Sequence, residues 1–413
     1  MDIEQVLKYI NKNIKYRVEE NTMKKKDQIL VILGILFISF NLRAPITAVG
    51  SIVEMIQAEY SFSNAAAGFI TTLPLIAFAV VSPFVAKISS RYGHTRTMMA
   101  GLLFILLGEV VRSYTGAAGL FIGTAIIGIG IAIGNVIIPA IIKLYFSDKV
   151  GMVTSIYTSG MCIFAAVGAG ISVPLAKGAN LGWKHALASW LILTLITISI
   201  WLPQIAKKEI KASNVQKNTH KTSIWSSKLA WWVTLYMGTQ SLLFYSLVAW
   251  LPTIITSKGM SDSFAGSMAL VFQLMAIPAT LLIPTLCDKF KDQRMLAGVT
   301  CMIYAAGILG LLLGQAQIAI IIAVVCMAIG MGGSISLSIA FISLRSPDPA
   351  RASELSGMSQ SAGYMLAALG PVVTGLIFDI QSSWTMPMII FIVLIAFLAF
   401  CGMFAGRNET VKD

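Results

Sequence analysis

Asn41-Leu42-Arg43-Ala44-Pro45 interrupts a run from about Ile29 to Val53 that is otherwise almost wholly apolar. A run of that length crosses a bilayer's hydrocarbon core, which takes about 20 helical residues. Arg43 falls near its middle. A guanidinium at that depth costs about 2.5–3.5 kcal/mol on insertion scales, so it requires a partner or a wet cavity. Pro45 has no N–H, and its ring clashes with the carbonyl of Asn41 four residues back. The pattern predicts a kink beside the charge. A cation and loosened backbone at mid-membrane depth point to a small-solute site facing a cavity.

The rest of the chain fits that beginning. Its 413 residues have a mean hydropathy of +0.81 and are 57% hydrophobic and 12% charged. Soluble domains carry about 25% charged residues, so this is a polytopic membrane protein. Apolar runs predict twelve spans, at about 29–53, 64–86, 97–114, 119–144, 150–175, 186–205, 229–256, 264–286, 295–314, 318–342, 352–378 and 384–406. The fold class read from this pattern is an all-α membrane protein of two pseudo-symmetric six-helix bundles. The expected division is a tail 1–28, a first bundle 29–205, a linker 206–228, a second bundle 229–406 and a tail 407–413.

The net charge of +12 raises nucleic-acid binding as a possibility, but the placement of the charges argues against it. With an even number of spans both termini share one side. That side holds 25 lysines and arginines, against 4 on the other. Such a bias fits the positive-inside rule with both ends in the cytoplasm, as in a bacterial-type inner membrane. Residues 1–28 are charged and lack the apolar core of a signal peptide. They read either as an amphipathic surface helix (Ile3, Val6, Leu7, Ile10 and Ile14) or as a plain tail.

The halves repeat. Gly68 and Gly266 lie 198 residues apart, as do Arg91 with Lys289 and Arg96 with Arg294. Gly128 with Gly330, and Gly168 with Gly370, lie 202 apart. The five cysteines and three histidines show no metal, disulfide or haem spacing, so no metal and no cofactor is expected. The tryptophans fall mostly near span ends, which predicts an interfacial belt.

Twelve spans, a basic central linker and a short basic turn between spans 2 and 3 resemble the major facilitator superfamily. That family's turn has the form Gly-x-x-x-Asp-Arg-x-Gly-x-x-Arg. Here Arg91, Gly93 and Arg96 match it, and Ser90 replaces the acid. In the second half Asp288 keeps the acid and Arg294 a base. The resemblance implies an inner-side latch at these residues, working by charge pairing and helix capping and weaker in the first half. Asn41–Gly50, Gly130–Lys143 and Thr154–Thr158 are similar to motifs of the cyanate-permease and 2-nitroimidazole-transporter branch. That narrower resemblance implies transport of a small anion or a small nitrogen-containing polar molecule.

Arg43 leads the candidate binding residues, with Asn41 beside it. Asn135 lies mid-span in span 4, and Tyr157 and Thr158 in the inner half of span 5. Gln240, Tyr245, Gln273, Gln360 and Tyr364 lie at usable depth in the second half. Glu109 is the coupling candidate. Its position toward the outer end of span 3, one turn before Arg112, predicts an intrahelical ion pair. No ATP-binding motif or catalytic constellation is present, so the chain reads as a secondary or facilitative transporter working by alternating access, and not as an enzyme. Its expected partners are a small-molecule solute and the lipid bilayer, with no nucleic acid, for a protein acting as a monomer. Proton-linked export of small toxic compounds is the competing reading, and a non-transporting membrane sensor a weaker one.

Overall fold

A computed structural model describes residues 25–62, 64–206 and 222–411. The expected N-terminal surface helix and most of the central linker lie outside these residues. No strand occurs among the described residues. Among the described residues twelve helices are long and apolar enough to span a membrane: Asp27–Ser51, Thr72–Tyr92, His94–Tyr114, Gly116–Tyr145, Ser147–Gly178, Gly182–Ile205, Lys228–Thr256, Phe264–Cys287, Arg294–Leu313, Gln317–Leu344, Pro349–Gln381 and Thr385–Ala405. They are numbered spans 1 to 12. Each overlaps an expected run, because hydrocarbon leaves a backbone no partner for its N–H and C=O groups except its own helix.

Span 2 departs from expectation at its end. The helix Asn64–Tyr92 runs through the stretch read as a turn, so Ser90 and Arg91 belong to its last turn. The turn itself is Gly93, at φ 89°. Nothing before Gly93 breaks the helix, and a glycine adopts this left-handed backbone without steric cost.

Span 1 is broken rather than kinked. One helix ends at Asn41, and the next runs Ala44–Ser51 with Pro45 in its first turn. A proline there gives up an N–H that would have no intrahelical acceptor anyway. Arg43 is therefore the joint. Its carbonyl accepts from the N–H groups of Ile46 and Thr47, both at 3.1 Å.

Small residues set the packing. A Cβ on Gly168 would lie 2.8 Å from the Ala44 carbonyl, seating span 5 on span 1. A Cβ on Gly370 would lie 2.9 Å from the Leu242 carbonyl, seating span 11 on span 7 in the same way. The expected Gly128–Gly330 equivalence does not hold. Gly128 faces Pro74 and Ala77 of span 2, whereas Gly330 faces Tyr304 of span 9, and it is Gly332 that meets Ala276 of span 8.

Four of the tryptophans turn into the protein rather than outward. Trp183, Trp190, Trp201 and Trp384 are buried, while Trp225 and Trp231 are exposed. Trp201 lies over Gly34, where no side chain competes for the space, and its Nε1 donates to the Thr95 carbonyl at 3.1 Å. At the opposite end, Glu59 accepts from Trp183 Nε1 at 2.5 Å and from Lys184 Nζ at 2.7 Å, clasping the end of the first helical stretch to span 6. The Lys184 bond first, then the Trp183 bond, holds the Glu59 carboxyl below its ordinary value of 4.5.

A candidate solute site at the joint of span 1

The two bundles meet along spans 2, 4 and 5 of the first and 8, 10 and 11 of the second. The hydrogen bonds that join them cluster toward the end carrying the described termini, the terminal end. The Asp288 carboxylate accepts from Gly151 N at 2.8 Å and Met152 N at 2.9 Å, capping free N–H groups at the start of span 5. Ser155 Oγ donates to the Leu281 carbonyl at 2.7 Å, and Ser159 and Thr280 hydroxyls share a bond of 2.9 Å. Ser343 donates to the Pro139 carbonyl, Ser356 to that of Asn135 and Ser361 to that of Ala79. Backbones approach closely here. A Cβ on Gly151 would fall 1.7 Å from the Pro284 carbonyl oxygen, and one on Gly357 2.8 Å from that of Ser82. The far half is different. A Cβ on Gly50, Gly170 or Gly266 would meet nothing within 4 Å. The bundles are zipped at the terminal end, and these far-half glycines are exposed.

Arg43 sits where the zipped half stops. It is half-buried, and its Nη1 donates to the Tyr245 hydroxyl of span 7 at 3.4 Å. Tyr364, Cys162 and Tyr157 are also within its electrostatic reach. The Tyr364 ring lies 4.9 Å from Phe78 of span 2 and 6.3 Å from Tyr245, centroid to centroid, so it bridges the bundles. Tyr157 donates to Asn135 Oδ1 at 3.1 Å. Among the described residues no carboxylate pairs with Arg43. The structure thus gathers Arg43, Tyr157, Asn135, Tyr245 and Tyr364 from both bundles around one cation.

Other candidates are placed elsewhere. Gln240 and Gln360 are buried on spans 7 and 11, each with an Oε1 that has no hydrogen-bond partner. Gln240 Nε2 donates to Ser241 Oγ at 2.7 Å. Gln273 is half-buried on span 8. Thr158 is buried in the zipped contact, its hydroxyl directed to carbonyls of Thr154, Ser155 and Thr280. Asn41 turns into the first bundle, donating to the Phe37 carbonyl and to Thr197 Oγ1.

Glu109 forms no ion pair with Arg112, contrary to expectation. Its Oε2 contacts Thr194 Oγ1 at 2.9 Å, and Arg112 Nη1 instead donates to the Pro45 carbonyl at 2.6 Å. Tertiary partners outbid the i,i+3 neighbour, because the break in span 1 brings polar backbone to this depth. Glu109 is fully buried, level with Asn41 rather than at the outer end.

The latch residues divide as well. Ser90 bonds back to the Lys87 carbonyl at 2.8 Å and caps nothing across the interface. Arg91 lies over the Tyr92 ring, Arg96 is exposed, and Arg294 pairs with Asp292 at 2.6 Å instead of Asp288. Thr194, Thr197, Thr280, Ser356 and Ser361 carry no signal in the sequence, and Ser155 stands there only as part of the Thr154–Thr158 motif. Scattered hydroxyls in apolar runs carry no spacing signal, since any of them can bond its own helix at i−4.

Comparison with known proteins agrees with this geometry. The Major Facilitator Superfamily profile matches residues 31–368, and the chain belongs to that superfamily. It is a multi-pass membrane transporter of that kind. It is 45% identical to the uncharacterized transporter YycB of Bacillus subtilis over 94% of this chain and 96% of that one. It is 37% identical to the 2-nitroimidazole transporter of Escherichia coli, covering 95% and 99%. It is 24% identical to the cyanate transport protein CynX of the same organism, covering 86% and 92%. Among solved structures, the superfamily transporter FucP in the outward conformation superposes with a TM-score of 0.72 at 13% identity, over 92% of this chain and 98% of that one.

Proposed function

We propose that this transporter carries a small anion or a small polar nitrogen-containing solute of the cyanate kind, bound at Arg43 between the bundles. The observation that carries the reading is a guanidinium at a broken mid-span joint, facing the inter-bundle space, with phenols and no carboxylate around it. A half-buried cation at mid-membrane depth without a counter-ion favours an anionic or strongly polar guest. Tyr245, Tyr364, Tyr157 and Asn135 supply hydroxyl and amide groups that orient it. The unpartnered Gln240 and Gln360 oxygens accept from water or a solute N–H as the cavity closes. The names of the cyanate and 2-nitroimidazole relatives support the same size and polarity.

The terminal end faces the cytoplasm by the charge bias, so the zipped arrangement is the outward-facing state. Asp288 acts as the latch by capping span 5, and the glycine approaches seal the path; rocking the bundles opens that end. Gln273, Thr158 and Asn41 support this geometry from outside the immediate cluster. The greater identity to the 2-nitroimidazole transporter favours a second reading, export of a neutral planar nitro-heterocycle resting on Tyr245 and Tyr364.

Uptake into proteoliposomes tests the reading, wild type against Arg43→Ala, with cyanate, nitrate and 2-nitroimidazole, with and without a pH gradient. Saturable flux of one anion, lost in the folded variant, is the expected result. Equal flux in both proteins makes Arg43 structural and removes the anion site. Flux of 2-nitroimidazole that survives in Arg43→Ala selects the second reading.

A further inference from the structure

Hydrogen-bond counting at Asn41, Thr194 and Glu109 leaves one proton to be placed. Asn41 Nδ2 donates to the Phe37 carbonyl at 2.8 Å, a group that only accepts, and to Thr197 Oγ1 at 2.7 Å. Thr197 passes its own proton to the Leu193 carbonyl at 2.8 Å. The amide orientation is thereby fixed, and Asn41 Oδ1 faces Thr194 Oγ1 at 2.7 Å as an acceptor. Thr194 has a single proton. Given to Asn41, it leaves the 2.9 Å contact with Glu109 Oε2 without a hydrogen unless the carboxyl supplies one. Given to Glu109, it leaves two lone pairs facing each other across 2.7 Å. Only a protonated Glu109 satisfies both contacts.

The surroundings agree. Glu109 Oε1 is buried with no hydrogen-bond partner, which suits a neutral acid better than a carboxylate. The charged group within its electrostatic reach is Arg112 on its own helix. Arg112 is fully buried, gives Nη1 to the Pro45 carbonyl, and leaves Nε and Nη2 unpartnered. Span 4 presents Gly123 and Ile127 to this helix. Span 6 presents Thr194, and the start of span 6 brings Lys184, which is held by Glu59, and His185, which packs on Tyr114. Lys87 and Arg91 of span 2 lie at its terminal end.

We infer that Glu109 carries a proton in this conformation, and that its loss draws Arg112 off the Pro45 carbonyl, so that the joint of span 1 responds to protons. On deprotonation the O–H bond breaks and the proton passes to water. The carboxylate left behind is one turn from two unpartnered guanidinium nitrogens, Nε and Nη2. Arg112 pairs with it as an i,i+3 neighbour and releases Pro45. Asn41 before the joint and Pro45 after it are both tied to this acid–base pair, and Arg43 lies between them. Solute at Arg43 and proton at Glu109 are then linked through two residues of backbone. The proton site stands on the hydrogen bonds alone; its role in coupling rests on the proposed solute site.

Two readouts that need no solute test it. The first is infrared difference spectroscopy of the reconstituted protein across a pH step. A carboxylic C=O band is expected in wild type, absent in Glu109→Gln and shifted in Thr194→Val, which removes the hydroxyl acceptor. A band unchanged in both variants overturns the assignment, and Thr194→Val alone decides it where Glu109→Gln fails to fold. The second is labelling of Gly170→Cys by an impermeant maleimide, against the parent with its native cysteines. The labelling rate, divided at each pH by that of a free thiol to remove the rise in thiolate, should fall as pH rises, by up to about tenfold per pH unit, the limit for linkage to one proton. In Glu109→Gln it should stay high and flat. A wild-type slope in Glu109→Gln overturns the inference. Normal flux in Arg43→Ala with the band still present sinks the solute site alone, so the two failures are separable.

Discussion

Replacing Gly151 by alanine should open the zipped terminal end, which under the proposed orientation turns an outward-facing resting state into an inward-facing one. The added Cβ would lie 1.7 Å from the Pro284 carbonyl oxygen and 2.7 Å from its carbon. Both are backbone atoms, which cannot swing aside, so spans 5 and 8 must separate by more than an ångström to restore ordinary contact. The two N–H bonds to Asp288, at 2.8 and 2.9 Å, do not survive that displacement. Hydrogen bonds to a charged group contribute about 1.5–3 kcal/mol each. Losing both costs the zipped state roughly 3 kcal/mol or more, which changes a two-state population by about a hundredfold. A rocked state in which these helices separate bears none of that cost, so the fold should be retained. The assay is impermeant-maleimide labelling of Gly170→Cys with and without Gly151→Ala, beside circular dichroism and thermal unfolding. Labelling should collapse while helicity stays. Unchanged labelling in a folded double variant would refute the reasoning, because the terminal-end seal would then not be what holds the far side open.

Asp288→Ala removes the cap without adding bulk and should shift the same equilibrium more weakly than Gly151→Ala, read by the same labelling; an effect equal to or larger than that of glycine replacement contradicts the steric argument. Gly34→Val drives a branched side chain into Trp201, whose ring carbon a Cβ would already approach to 2.6 Å, and should destabilise the first bundle by about 1–3 kcal/mol in thermal unfolding. Glu59 has a depressed folded-state value, so its contribution is present above the ordinary carboxylate range and lost as pH falls through that lowered value. Unfolding midpoints of wild type should therefore drop on the acid side of 4.5, by a small amount for so exposed a pair, and Glu59→Gln should remove that component. Arg345 donates to the Gln293 side chain and to the Arg407 and Glu409 carbonyls, and Val411 N returns a bond to its carbonyl at 2.8 Å. Removing residues 407–413 leaves that buried cation short of acceptors and should lower thermal stability, which Arg345→Met in the shortened chain should partly restore.

Hydropathy alone settled the twelve helices and their order, and their limits to within a few residues except at span 2, because in hydrocarbon each span must satisfy its own backbone. The charge bias carried the expected orientation, and the Asn41–Pro45 stretch marked the irregularity in span 1 where the solute site is proposed. Naming Arg43 as a candidate needed no structure, since a guanidinium at mid-span is costly wherever it points. Partners were another matter. The sequence placed Glu109 with Arg112 because i,i+3 neighbours are the only contacts a helix fixes by itself. Three-dimensional packing gave Glu109 to Thr194 and Arg112 to Pro45 instead. Asn41 and Arg43 are two residues apart, yet the break in span 1 turns one into the bundle and the other toward Tyr245. Which bundle a polar side chain faces, and which end of the interface is sealed, depends on how the helices rotate and cross. That is set by where small residues let backbones approach, as at Gly151 against Pro284, and no spacing along the chain encodes it.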